Sequence, residues 1–363
     1  MTVQDICTCM EEFAPLSLQE SWDNSGLAVG LPQQDVRKVL ITVDINEAVV
    51  EEAVECGAQM IVGHHPITLS GVRRLTGASE AERTLTAAVA GKIAIYVAHT
   101  NMDAAEGGVS HRMAQKLGLN DVQVLARRGN TLRKLVVYIP KSHLSGVREA
   151  LFEAGAGHTG NYDCCGYETE GKGMFRALPG ARPFAGKPGE RHTETEIRFE
   201  TVFPSHLQSA ILAALFKTHP YEEIAYDIYA LRNESPTGLG VTGQLPSPMD
   251  EQAFLRLLKD VFHVPLLRHT RLHGKDVRKV ALCGGSGSSL LPDALHSRAD
   301  VYVTADFKYH QFADAEKDIL IADIGHFESE QFTMEIFYDI LTKKNPTFAV
   351  QISQVNTNPI NCL

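Results

Sequence analysis

The sequence predicts an α/β protein: a three-layer α/β/α, two-lobed domain that is interrupted by a smaller ferredoxin-like α+β insert. Short apolar runs such as Val39–Val43 and Ile93–Val97 alternate with helical segments, which is typical of strands in a sheet covered on both faces. This alternation stops near residue 127 and resumes after residue 232, so a smaller module interrupts it. His or Asp residues follow several of the strands, and ligands bind at that position in such sheets.

Composition narrows the class of protein. The chain of 363 residues suits two or three domains, and 44% apolar with 21% charged residues is ordinary for a globular protein. The net charge of −10 argues against nucleic acid or an anionic membrane as the main partner. No apolar run reaches the roughly 18 residues of a membrane span, and residues 1–13 do not resemble a signal peptide. We therefore expect a cytoplasmic protein.

The first half of the interrupted domain is assigned to residues 1–127. Apolar residues at helical spacing predict a first helix that Pro15 ends, and a βαβ pattern follows. The predicted helices span residues 3–13, 47–56 and 81–90, and the strands span 39–43, 60–62 and 93–97.

The insert is assigned to residues 128–232. Its predicted strands span 135–140, 196–202 and 224–230, its helices span 145–154 and 207–216, and the Gly-rich residues 155–189 are expected to form a long hairpin and loop. Two βαβ patterns within about 100 residues favour a ferredoxin-like module. Ser235–Pro236–Thr237–Gly238 is the predicted exit linker.

The second half of the domain is assigned to residues 233–363. Its predicted strands span 277–283, 301–304, 319–323 and 348–355, and its helices span 251–261 and 326–341. The two halves must pack together to complete the α/β domain.

Candidate metal ligands lie just past the strands or at the start of the following helix. His64 and His65 follow the strand that ends at Val62, where neighbouring side chains can diverge towards two metals. Asp103 follows another strand, and His326 and Glu330 stand four apart on one helical face.

These five ligands suffice for two ions only if a carboxylate and a water or hydroxide are shared. The sequence prediction gives the bridging carboxylate to Asp103, with the ions about 3.5–4 Å apart. Imidazole with carboxylate suits zinc, iron, manganese, cobalt or nickel, and the sequence does not choose among them. Water acidified by two divalent metal ions supplies hydroxide near neutral pH.

Several motifs in this order resemble one known family. They are Trp22–Leu27 (WDNSGL), Gly63–Pro66 (GHHP), His99–Asp103 (HTNMD), Thr304–His310 (TADFKYH) and Gly325–Glu330 (GHFESE). Together they are similar to the Ngg-interacting-factor-three-like family, whose members are also called GTP cyclohydrolase I type 2 homologues. The resemblance extends over essentially the whole chain.

The resemblance implies more than the residues alone do. It makes the five residues the ligands of a dinuclear metal centre, with Glu330 preferred and Glu328 a weaker substitute because Ser329 stands where some relatives have Glu. It also implies a toroidal homohexamer with the metals facing an inner cavity. His219–Glu223 resembles the closing motif of a CutA/PII-like insert.

Other polar residues are weaker candidates. His99 is a candidate to orient a ligand or shuttle a proton. Trp22, Asp306, Lys308 and His310 are candidates to contact substrate, although a solvated loop explains the last three nearly as well. Gly284–Gly287 could cradle a phosphate, yet a lone Gly-rich turn more often reflects tight packing.

Two functions remain open from the sequence. The first is a dinuclear metal-dependent hydrolase, resembling GTP cyclohydrolase, that attacks a nucleotide or similar heterocycle. The second is a non-catalytic metal-handling or regulatory protein whose insert senses a ligand.

Overall fold

The computed structural model of the chain describes residues 1–129, 131–233 and 237–362. Its contacts divide the chain into two compact units, Met1–Arg127 with Pro236–Leu363, and Arg128–Ser235. The predicted linker lies partly outside the described residues, because 235 and 236 are not among them. Both units mix helices with strands, which confirms the α/β class.

The N-terminal part of the first unit forms a βα alternation close to the predicted one. The helices are α1 (Val3–Phe13), α2 (Glu47–Glu55), α3 (Glu80–Ala90), α4 (Thr100–Ala104) and α5 (Val109–Lys116); the strands are β1 (Gly26–Val29), β2 (Lys38–Thr42), β3 (Met60–Gly63), β4 (Ala94–Val97) and β5 (Asn120–Arg127). The sequence prediction missed β1, β5, α4 and α5.

The second unit follows the order βαββαβ. Its elements are β6 (Leu132–Pro140), α6 (Leu144–Glu153), β7 (Gly166–Arg176), β8 (Arg191–Pro204), α7 (Gln208–Thr218) and β9 (Tyr226–Ala230). They form one antiparallel sheet in the order β7-β8-β6-β9. Strand β7 lies within the Gly-rich residues 155–189. The sequence analysis predicted a long hairpin and loop there but gave no limits for its strands.

The C-terminal part returns to the first unit. Its elements are β10 (Gly238–Asp250), α8 (Glu251–Phe262), β11 (Arg268–His269), β12 (Asp276–Ser286), α9 (Leu291–His296), β13 (Val301–Ala305), α10 (Tyr309–Ala315), β14 (Leu320–Asp323), α11 (His326–Glu330), α12 (Thr333–Lys344) and β15 (Ala349–Ile352). The single helix predicted over 326–341 is therefore two, because α11 ends at Glu330.

Two sheets organise the first unit. One has the order β1-β4-β3-β2-β15 and is parallel except for β1; the other has the order β11-β14-β13-β12-β10-β5, with β12, β13 and β14 parallel. In the first sheet Ile41 packs with α1 and α12 while its neighbour Leu40 packs with α2 and α3. Adjacent strand residues face opposite ways, so helices on both faces explain why the strands are apolar throughout.

None of the helices in the described part of the chain combines the length and the apolar character that a membrane crossing requires. The Trp22 side chain is exposed, with 56% of its surface accessible to solvent.

Candidate metal centre

The carboxyl ends of strands from both sheets of the first unit meet at one place. His64 and His65 directly follow β3, and His326 begins α11 after β14. The backbone N–H groups of His64 and His65 both donate to the Val43 carbonyl, which fixes the turn that carries them. Parallel strands end at the same edge of a sheet, so residues far apart in sequence come together here.

Three electron-pair donors form a nearly equilateral triangle. His65 Nε2 lies 3.0 Å from Glu330 Oε2 and 3.2 Å from His326 Nε2, and His326 Nε2 lies 3.1 Å from the same oxygen. Neither contact of Glu330 Oε2 has the alignment of a hydrogen bond. Ligand atoms about 2.0–2.1 Å from one ion lie roughly 2.9–3.4 Å apart at coordination angles of about 90–109°. The triangle therefore has the dimensions of half a metal coordination shell.

A second group of donors surrounds His64, which is fully buried. Its Nδ1 donates to the Ala98 carbonyl at 2.8 Å, so Nε2 carries the lone pair. This Nε2 lies 3.6 Å from Glu330 Oε1 and 3.8 Å from Asp103 Oδ1. Both His64 Nε2 and Asp103 Oδ1 are buried without a hydrogen-bond partner among the described residues. Buried acceptors that face one another without a proton between them fit a cation.

Carboxylates behind two of the histidines fix their orientation. Asp44 Oδ1 accepts from His65 Nδ1, and Asp306 Oδ2 accepts from His326 Nδ1, each at 2.7 Å. This arrangement leaves Nε2 of each ring for a metal and makes it a stronger donor. Burial opposes protonation, but the bond to Asp44 and the attraction of Glu330 raise the pKa of His65 to about 9.

Burial and neighbouring charges also act in opposite directions on the pKa values of His326 and of the carboxylates. Burial lowers the pKa of His326, but Asp306 and Glu330 outweigh it and raise that pKa to about 11. Burial opposes ionisation of Glu330, yet the surrounding histidines hold its pKa well below the usual range. Burial raises the pKa of Asp103 to about 7, although His64 opposes it. The surrounding histidines therefore favour the ionised form of Glu330.

The geometry gives the central position to Glu330 rather than to Asp103. One carboxylate oxygen of Glu330 faces His64 and the other faces His65 and His326, whereas Asp103 approaches His64 alone among these histidines. The bridging role predicted for Asp103 stays a prediction, and the central position of Glu330 favours this second carboxylate as the alternative bridge. The loop that carries Asp103 brings it to one end of the cluster, and strand order alone does not reveal this.

Glycines in β12 make room for Glu330. Gly285 has φ +60°, and a Cβ at this position would lie 2.1 Å from Glu330 Oε1. Its N–H donates to Ser329 Oγ at 2.8 Å. The Gly284–Gly287 motif is therefore largely the end of a strand packed against α11, and its Gly285 N–H is not free to cradle a phosphate.

His99 lies beside the cluster and is held by Asp23. Its ring centroid is 5.4 Å from those of both His64 and His65, and its Nδ1 donates to Asp23 Oδ1 at 2.7 Å. The Trp22 ring meets His99 edge-on with centroids 6.0 Å apart. The structure thus brings Trp22 and His99 to the centre, and within the described part of the chain no hydrogen bond engages Nε2 of His99.

The remaining candidates divide between the centre and the surface. Asp306 orients His326, which is a different role from the predicted contact with substrate. Lys308 and His310 are exposed at the start of α10. The sequence prediction missed Asp44, although it follows β2 just as the histidines follow β3, so the same strand-end rule would have found it. Thr357 Oγ1 donates to Asp44 Oδ2 at 2.7 Å and completes this support.

Comparison with known proteins places the chain in a family. The family model Duf34/NIF3 (NGG1p interacting factor 3) matches residues 1–359. The chain is 38% identical over 362 residues to the "GTP cyclohydrolase 1 type 2 homolog" of Halalkalibacterium halodurans (98% of this chain, 97% of that protein), and 37% identical over 367 residues to that of Bacillus subtilis (99% and 98%). Among solved structures, a Bacillus cereus protein related to NIF3 superposes with a TM-score of 0.85 at 35% identity, covering 100% of this chain and 99% of that one. The chain therefore belongs to the Duf34/NIF3 family.

Proposed function

We propose that the chain is a dinuclear metal-dependent hydrolase that acts on a nucleotide or similar heterocycle. The observation that carries the proposal is the position of Glu330, whose two oxygens face two separate groups of candidate ligands. One group is His65 with His326, and the other is His64 with Asp103. Two divalent ions held by these five residues would supply Lewis-acid polarisation and lower the pKa of water.

The protein's own residues suit the supporting roles. Asp44 and Asp306 hold two of the imidazoles in the tautomer that leaves Nε2 free. His99 has the same tautomer because Asp23 accepts from its Nδ1, so its Nε2 is placed to take a proton and return it. The exposed ring of Trp22 next to His99 offers a stacking surface for a planar substrate.

The name shared by the curated relatives suggests GTP as the first substrate to test. We expect purified protein loaded with Zn²⁺, Mn²⁺, Fe²⁺, Co²⁺ or Ni²⁺ to convert GTP or another nucleotide in a panel, as followed by chromatography of the products. The Glu330→Gln variant and chelated protein should have no activity. Protein that holds the metals but converts no nucleotide would contradict the proposal and favour a metal-handling or regulatory role.

We extend the proposal to assembly and to the insert. A ring-shaped homohexamer is the expected state, and a monomeric or dimeric mass in light scattering at micromolar concentration would contradict it.

The βαββαβ order of the second unit supports a ferredoxin-like module of the CutA/PII-like kind. We expect a cytoplasmic protein.

A further inference from the structure

A cavity of about 690 Å³ lies entirely within the second unit. It is on the sheet face opposite α6 and α7, because its wall includes Tyr138 and Arg198 while the alternate residues Val137 and Phe199 pack against those helices. The volume is within the range of about 300–1,000 Å³ that small-molecule sites occupy.

A loop closes one side of the cavity and is held in place by a specific contact. The loop after β7 contributes Pro183 and Phe184 to the lining. The backbone N–H of Arg182 donates to Glu222 Oε1 at 2.9 Å, which ties the loop to the segment after α7. The cavity is therefore bounded by the sheet, by the loop after β7 and by the segment after α7.

Aromatic rings dominate the apolar part of this wall. The Tyr221 ring centroid lies 6.0 Å from that of Phe184 and 6.3 Å from that of Phe175. The Phe184 side chain is 49% exposed, so a ligand bound in the cavity would bury more of its surface. Such rings favour a planar aromatic ligand, which stacks on them or meets them edge-on.

One buried carboxylate faces the same space. Glu196 is only 7% exposed and lines the cavity. Its Oε1 accepts from the Tyr221 hydroxyl at 2.7 Å, and within the described residues no Lys, Arg or His forms an ion pair with it. Because burial of an ionised carboxylate is unfavourable without several donors, a ligand with N–H groups would satisfy it.

Gly173 allows this carboxylate to lie where it does. A Cβ on Gly173 would lie 1.9 Å from Glu196 Oε2 and 2.5 Å from its carboxyl carbon. The carboxylate therefore lies against the bare backbone of β7. A side chain at residue 173 would push it away while leaving its charge intact.

We propose that this cavity binds a small aromatic heterocycle that presents adjacent N–H donors, as the edge of guanine does. The ring lies among Tyr221, Phe175 and Phe184, and the two donors bond to Glu196. The proposal does not rest on the hydrolase activity, because no metal-centre residue lines the cavity.

Calorimetric titration of the full chain with guanosine tests the proposal, with inosine as the matched ligand that lacks the 2-amino donor. Guanosine should bind to the wild-type protein, and inosine should bind about tenfold more weakly because it loses one charge-assisted hydrogen bond. Glu196→Gln should weaken guanosine binding by at least about tenfold for the same reason. Gly173→Ala should weaken it as well, without removing a charge.

One control variant locates the site. Glu168→Gln also removes a unit negative charge from this sheet, but at a residue of β7 that pairs with Arg148 and does not line the cavity, so guanosine binding should be unchanged. The titrations use chelated, metal-free protein, so that binding of guanosine at the metal centre does not contribute. Thermal unfolding of each variant checks that it is folded. Absence of guanosine binding to the wild type, or unchanged binding by Glu196→Gln and Gly173→Ala, would overturn the proposal.

Discussion

Replacement of Glu330 by Gln should abolish binding at both proposed metal positions. The substitution keeps the size of a side chain that is 3% exposed, but it removes the negative charge between His64 on one side and His65 with His326 on the other. An amide has one oxygen acceptor and cannot serve both groups as a carboxylate does.

The size of the effect follows from Coulomb's law. A unit negative charge about 2.1 Å from a divalent ion is worth about 4 kcal/mol even at the dielectric constant of water, so its loss weakens binding about a thousandfold. The Glu330→Gln variant would lose this attraction at both ions. Asp103→Asn would lose it at one ion only, because Asp103 Oδ1 lies 3.8 Å from His64 Nε2 at one end of the cluster.

Elemental analysis of loaded and desalted protein distinguishes the two variants. We expect two ions per chain in the wild type, one in Asp103→Asn and none in Glu330→Gln. Glu328→Gln is the matched control, since Glu328 is on the same short helix and accepts from Asn358 Nδ2 at 2.9 Å instead of facing the histidines. It should keep both ions.

The reverse pattern would refute this reasoning. If Asp103→Asn lost both ions while Glu330→Gln kept one, Asp103 would be the shared carboxylate, as the sequence first suggested. Thermal unfolding of both variants excludes a general loss of structure as the cause.

Three further predictions concern other parts of the chain. Gly285→Ala should reduce metal binding at least about tenfold, because its Cβ displaces Glu330 Oε1 and the positive φ adds about 1 kcal/mol of strain; calorimetric metal titration measures this. Burial opposes ionisation of Asp23, but bonds from His99 and Thr100 hold its pKa well below the usual range, so its stabilisation is complete above about pH 4 and is lost as the pH falls further. Asp23→Asn should lower the free energy of unfolding in urea by about 1.5–3 kcal/mol at pH 6 and by less at pH 3; an equal loss at both would contradict the assignment. Replacing residues 128–232 with a short linker should leave the metal content per chain unchanged, since all five proposed ligands lie outside the insert; a folded deletion variant without metal would contradict this.

The sequence alone was sufficient for the positions of the cluster residues but not for their arrangement. His64, His65 and His326 could be found because apolar strands are recognisable and ligands follow strand ends in α/β sheets. Local sequence patterns do not determine how the two sheets of the first unit pack against each other. The central position of Glu330 and the hydrogen bond from His65 to Asp44 are therefore seen only in the folded structure.

Strand β10 was missed because its local signals conflict with tertiary pairing. It contains Pro246 and Pro248, which argue against a strand, yet its register with β12 simply shifts between Gln244 and Met249. Packing of the sheet overrides weak propensity here. Strand β5 was missed although Val122 and Val124 stand at alternate positions before Leu125, which is a local pattern typical of strands. Pairing with β10 completes this strand.

The most direct test of the dinuclear site is a crystal structure of metal-loaded protein with anomalous diffraction data collected at the absorption edge of the metal. We expect two anomalous peaks per chain, one contacted by His65, His326 and Glu330, and the other by His64, Asp103 and Glu330. A single peak, or peaks that do not share Glu330, would contradict the account.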